Sequence, residues 1–249
     1  MPVADGLILS LAYGALFAQT AFWAAHQLLF PNREKVILAA RGSGALAAVL
    51  LAAGLALRGL KVGYWPFHTA YEWLVAGLVG LALAPLVLLS PRHHRPASLA
   101  LSCLSSLAAV YALLVGNGAV PAIHAPVSGW QVAYVTSCGF GGGAAVVAGV
   151  ASVAFRHAGQ GQRIEERALA WSLLTLSVGL ASGAWWFQRL SGRYWGDARW
   201  AGMVVVWLLT WAAWHGRGER VGRGWRSALV GVTLALAGGY VVLGLGAAT

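Results

Sequence analysis

The sequence predicts an all-α fold, a polytopic bundle of about eight transmembrane helices with both termini extracytoplasmic. Three observations predict it. Hydrophobic residues make up 59% of the chain and charged residues only 10%, against roughly 25% charged in a soluble domain. The mean hydropathy is +0.70. The apolar residues are gathered into runs of about 20, the length a helix needs to cross a hydrocarbon core about 30 Å thick. A backbone in lipid must satisfy its own hydrogen bonds, so these runs are helices rather than irregular chain. The loops between them are too short to hide a soluble domain, and residues 1–249 form a single integral membrane domain.

In order, the runs are Leu7–Phe30, Val36–Leu57, Ala70–Leu89, Ala97–Gly116, Gly129–Phe155, Ala168–Phe187, Ala201–His215 and Ser227–Leu245. The seventh is the shortest, so its helix should reach into the flanking loops. Glycine-rich stretches such as GFGGGAAVVAG allow close helix approach, because lipid supplies no hydrophobic drive between helices. The net charge of +10 reads as orientation rather than as nucleic-acid binding. One face collects Arg33, Lys35 and Arg41, Arg92 and Arg95, Arg156, Arg163 and Arg167, and Arg217, Arg220, Arg223 and Arg226. The other keeps Arg58, Lys61, Arg189, Arg193 and Arg199. The first face is therefore cytoplasmic, in the inner membrane of a prokaryote. The opening stretch has no basic segment before its apolar run, so the first helix serves as its own insertion signal.

The chain has no Walker loop, HExxH, GxSxG or dinucleotide fingerprint, which excludes nucleotide and protease chemistry of those kinds. Cys103 and Cys138 lie inside apolar runs, away from any CxxC spacing, and read as buried small hydrophobes. Histidines are more informative, because an ionisable group in or beside a span usually has a partner or ligand. His93, His94 and His157 sit in basic turns and read as solvated. His124 lies in the uncharged outer loop VPAIHAPVSGW, where a neutral imidazole is available to a metal or packs at the interface. His215 closes the seventh helix, His26 lies near the cytoplasmic end of the first, and His68 opens the third on the outer side. Glu72 is the main acidic charge predicted within a span, either structural or functional.

The stretch SGAWWFQRLSGRYWGDARW, residues 182–200, interrupts two apolar runs with three arginines and four tryptophans. It is either an interfacial anchor or a surface built to hold something. Trp185, Trp186, Tyr194, Trp195 and Trp200 beside Arg189, Arg193 and Arg199 would make an aromatic floor with a cationic rim. Such a surface suits a flat ligand bearing carboxylates, and haem is one, with arginine for its propionates and histidine for its iron.

These segments, in this order, resemble the cytochrome c assembly family of CcsA, CcmC and CcmF, with HemX-like relatives. That family carries a tryptophan-rich WWD domain, written approximately S-G-A-x-W-A-x-x-x-W-G-x-Y-W-x-W-D-P-K-E-x-W. Ser182, Gly183, Ala184, Trp186, Gly192, Tyr194 and Trp195 match it without a gap, and Asp197 and Trp200 match after a short deletion. PAIHAPVSGWQVAYVTSCGF, YWPFHTAYEWL and the stretch ending at His215 and Arg217 are similar to further family blocks, and the likeness covers about residues 64–245. The chain departs from the family at Ser191 and Ala198, in place of a tryptophan and a proline, and in VLGLGAAT, which lacks the family's second outer histidine.

The resemblance implies a membrane protein that binds b-type haem at the extracytoplasmic tryptophan-rich loop and presents it to apocytochrome c. It implies His124 as an outer iron ligand and His215 as an intramembrane one, with Trp186, Arg193, Tyr194, Trp195, Asp197 and Trp200 around the cofactor. His26, His68 and Glu72 are further candidates. The missing histidine implies a CcsB-like or other membrane subunit, and a component of a haem lyase system rather than an autonomous enzyme. A HemX-like accessory protein without haem chemistry, or a subunit of a larger respiratory complex, is the alternative.

Overall fold

The computed structural model describes residues 4–30, 33–62, 70–89, 95–115, 128–154, 159–192, 198–216 and 231–232. Among them run seven helices: α1 (Ala4–Leu28), α2 (Glu34–Val62), α3 (Ala70–Leu88), α4 (Arg95–Val115), α5 (Gly129–Ala154), α6 (Gly159–Ser191) and α7 (Ala198–His215). Five are long and apolar enough to cross a membrane, and α3 and α7 contain shorter apolar stretches, Leu74–Leu88 and Trp200–His215. The fold is the expected all-α polytopic membrane bundle. The eighth run, residues 227–245, lies outside the described residues except for 231–232, which are helical.

Two helices extend well past their apolar runs. α2 runs from Glu34 to Val62, so Lys35 and Arg58, on either side of the predicted run, are helical residues. α6 starts at Gly159 rather than Ala168 and ends at Ser191 rather than Phe187. Its polar first turns are held by a Gln162 Nε2 to Glu166 Oε1 bond of 3.1 Å, with Ile164 buried at 6% exposure. Hydropathy marks where a helix enters lipid, whereas backbone pairing ends only where capping or sequence stops it. α7 begins at Ala198, reaching past its apolar run as expected.

Each helix packs on its neighbour in sequence, and α3 and α5 form the centre. They run parallel and cross backbone on backbone. A Cβ on Gly80 would collide with the carbonyl of Gly139, and one on Gly143 with the carbonyl of Gly80. α6 reaches α5 by the same device. Gly141 faces Leu176 and Thr175, and Gly179 faces Cys138. Cys138 is buried there as expected, but Cys103 is exposed on α4, because that position falls on an outward face of the bundle. α1 and α2 are antiparallel, with Leu9 against Gly54 and Gln19 against Gly44.

Gly80→Val should lower the thermal unfolding midpoint of the detergent-solubilised protein, consistent with the roughly 1–3 kcal/mol that overpacking costs. Gly42→Ala, where nothing stands within 4 Å, should leave it unchanged or slightly higher.

Candidate functional site

The tryptophan-rich stretch, expected to leave the sixth helix at Phe187, is helical for one further turn. α6 continues through Ser191 and stops at Gly192, whose φ of 69° suits glycine and whose N–H donates to Gln188 O at 2.8 Å. Trp185 and Trp186 are successive residues, so they leave the helix about 100° apart. Trp186 turns inward and is half-buried, 6.4 Å from the ring of Tyr134 and 4.6 Å from that of Phe187. Trp185 turns outward, 43% exposed, with Trp130 of α5 at 6.1 Å and the Arg189 guanidinium 5.7 Å over its ring. Trp130 is itself 45% exposed, so this pair is an accessible aromatic surface with a cation on it.

Tyr134 is the buried pivot of this end. It is fully enclosed, and its ring lies against Gly183, where a Cβ would come within 2.8 Å of Cδ2. Ser182 donates to Val178 O at 2.7 Å within the helix. The small residues that open the tryptophan-rich segment therefore seat Tyr134, and its second glycine ends the helix.

At the same end, Arg58 of α2 donates from Nε to Oε1 of Glu72 on α3 at 2.8 Å. Glu72 is fully buried and Arg58 is 5% exposed. The Arg58 guanidinium also lies 5.6 Å from the centre of the Tyr71 ring, whose hydroxyl is 2.9 Å from that of Tyr13 on α1. Charges this deep in a bundle are costly unless paired, and here one pair joins three helices through a cation–π contact and a tyrosine hydrogen bond. Glu72 is thus a buried, paired carboxylate.

The opposite, arginine-rich end carries two of the candidate histidines. His26 is fully buried, with Nδ1 2.9 Å from Phe30 O, and its Nε2 has no partner among the described residues. Trp23 meets it edge-on at 6.1 Å. His215 is exposed, with Nδ1 3.0 Å from Trp211 O and its ring 4.1 Å from that of Trp211. Because a carbonyl can only accept, Nδ1 is the donor in both rings, and in the neutral imidazole Nε2 is then the nitrogen with a free lone pair. They are not brought together: α1 packs on α2 and α4, while α7 packs on α6 and α5. Among the described residues no three His, Cys, Asp or Glu side chains group as a metal site.

Trp200 is half-buried against the core. His68, His124, Arg193, Tyr194, Trp195 and Asp197 lie outside the described residues. Sequence reading missed Trp130, Tyr134, Arg58 and the Tyr13–Tyr71 contact. Tyr134 sits inside the quoted block around His124, so that likeness pointed near it. The partners of Arg58 and Tyr13 come from distant helices and leave no local signal.

The sequence matches no known family profile, and no curated protein matches it. Among solved structures, the cytochrome c haem lyase CcmF shares the fold, with a TM-score of 0.62 and 15% sequence identity. The match covers 96% of this chain and 48% of CcmF, so the chain spans about half the length of that protein.

Removing one member of the buried ion pair should be severe, and removing both much less so. Glu72→Ala is expected to destabilise the bundle by about 3–5 kcal/mol, with Arg58→Met plus Glu72→Leu recovering most of the loss. Thermal unfolding of the single and double variants in detergent measures the difference.

Proposed function

We propose that this chain is a haem-handling membrane protein of cytochrome c biogenesis, a divergent relative of CcmF and CcsA. One observation carries this reading. A chain whose fold matches a cytochrome c haem lyase over 96% of its length also gathers its tryptophan-rich segment with Trp130 and Arg189 at one end of the bundle. The exposed Trp130–Trp185 pair with its guanidinium fits a planar ring bearing carboxylates. In this reading that end is extracytoplasmic, a side the positive-inside pattern of the loops supports.

In this reading His124 supplies an imidazole to the iron of b-type haem, and Trp186, Tyr194, Trp195, Asp197 and Trp200 frame the site. Arg193 holds a propionate, and His215 ligates haem separately, lower in the bundle. The haem brings vinyl groups that can bond to cysteine thiols. The chain's own part is to hold that edge toward apocytochrome c, where proximity provides the rate gain. A CcsB-like or other membrane subunit is the chain's partner in this reading. The second reading, a HemX-like accessory protein without haem chemistry, draws on Trp186 and Trp200, which serve helix packing.

An absorption spectrum and pyridine haemochrome assay of the purified protein test the proposal. Haem should co-purify, and His124→Ala should remove or shift its main band. Trp185→Ala should lower haem occupancy without altering the fold. A colourless wild type that co-purifies stoichiometrically with another subunit selects the accessory reading.

A further inference from the structure

The arginine-rich end contains a narrow, half-open cleft between α1, α2, α3 and α4, walled largely by apolar side chains of α3 such as Leu81 and Pro85, with a smaller polar share. Gln19, Arg41, Ser98, Ser102 and Ser105 line it, with Trp23 on one wall. Its polar groups come from three different helices and are held there by specific packing. Gln19 is 4% exposed, and its amide lies against Gly44, where a Cβ would stand 2.5 Å from Nε2. Gly44 is one turn along α2 from Arg41, so the glycine makes room for the amide in the cleft that Arg41 also lines.

Arg41 uses Nη2 to reach Leu86 O at 2.9 Å. That carbonyl lies in the last turn of α3, where the helix dipole favours a cation. No carboxylate pairs with Arg41 among the described residues, in contrast to Arg58. Gln19 Oε1 is buried and likewise has no partner there. Ser102 and Ser105 donate to Leu99 O and Leu101 O, which spends their protons within α4 and leaves their oxygens as acceptors.

The cleft therefore asks for a guest with two properties. It must bring negative charge to Arg41 and a hydrogen-bond donor to Gln19 and the serine oxygens. A phosphate group carrying a hydroxyl or ammonium neighbour has both, and a metal cation or a purely apolar guest has neither. Arg41 lies about 10 Å along α2 from Glu34, at 1.5 Å rise per residue, which is headgroup depth for a helix entering the bilayer. Leu38, one turn before Arg41, is 73% exposed, and Val87, beside Leu86, is 62% exposed, so apolar surface continues outward from the mouth. We infer that this cleft is a binding site for the phosphate group of a phospholipid headgroup, with Arg41 holding the phosphate and Gln19 accepting from the headgroup's hydroxyl or ammonium.

The test uses the full chain, delipidated in a phosphate-free maltoside detergent, with retained phospholipid quantified by native mass spectrometry. Wild type should retain phospholipid stoichiometrically. Adding phosphatidylglycerol should raise its unfolding midpoint by a few degrees. Arg41→Gln should lose both effects, and Arg41→Lys should keep part of them. Gln19→Leu leaves the Arg41–Leu86 bond in place and should weaken retention; it decides the matter if Arg41→Gln fails to elute as a folded species. Inorganic phosphate is the second arm. A midpoint rise with phosphatidylglycerol alone assigns the site to a lipid headgroup, whereas an equal rise with inorganic phosphate assigns it to a free anion. Equal lipid retention and equal midpoint shifts in wild type, Arg41→Gln and Gln19→Leu would overturn the site.

Discussion

The backbone crossing of α3 and α5 at Gly80, Gly139 and Gly143 is the contact around which the other helices are arranged. Lipid tails are as apolar as leucine, so helices in a membrane gain little by hiding hydrophobic surface from the solvent. Dispersion from close approach must supply the attraction, and only small residues allow it. α5 repeats the device on its other side, where Gly141 and Gly179 bring in α6. With α3 and α5 set, α2 and α4 pack on α3, α1 packs on α2 and α4, and α7 packs on α6.

Hydrogen bonds such as Ser172 to Gly141 O join helices along the bundle, whereas the charged side chains among the described residues gather toward the two ends, and each end solves its electrostatic problem differently. At the tryptophan-rich end the charges of Arg58 and Glu72 are buried and cancel each other. Such a pair adds little net stability over an apolar replacement, but it penalises any arrangement in which the partners separate. It ties α2 to α3, and through Tyr71 and Tyr13 it reaches α1. At the arginine-rich end Arg41 caps a helix carbonyl and lines a cleft with Gln19, whose buried Oε1 has no partner among the described residues. A closed pair suits a structural joint, and an open donor–acceptor set suits a guest.

The tryptophan-rich segment shows why a sequence pattern and a site are different things. Gly183 seats the Tyr134 ring and Gly192 terminates α6, so both are explained by mechanics alone. Trp186 spends its face on Tyr134 and Phe187. The accessible ring belongs to Trp185, outside the matched positions, and its companion Trp130 comes from another helix. The surface a ligand would meet is therefore composed across α5 and α6.

By itself the sequence determined the class of the protein, its all-α membrane architecture and the rough position of each described span, because partition into lipid depends on local composition. It also placed His26 and His215 near helix ends and marked residues 182–200 as unusual. It misjudged how far α2 and α6 run, since hydropathy falls off at the lipid boundary while helical hydrogen bonding does not. Only the tertiary structure decided that Glu72 answers Arg58, that Tyr134 rests on Gly183, and that Gln19 and Arg41 line one cleft. These pairings join residues from separate helices, and which faces meet is set by the summed packing of the bundle, which no single segment carries.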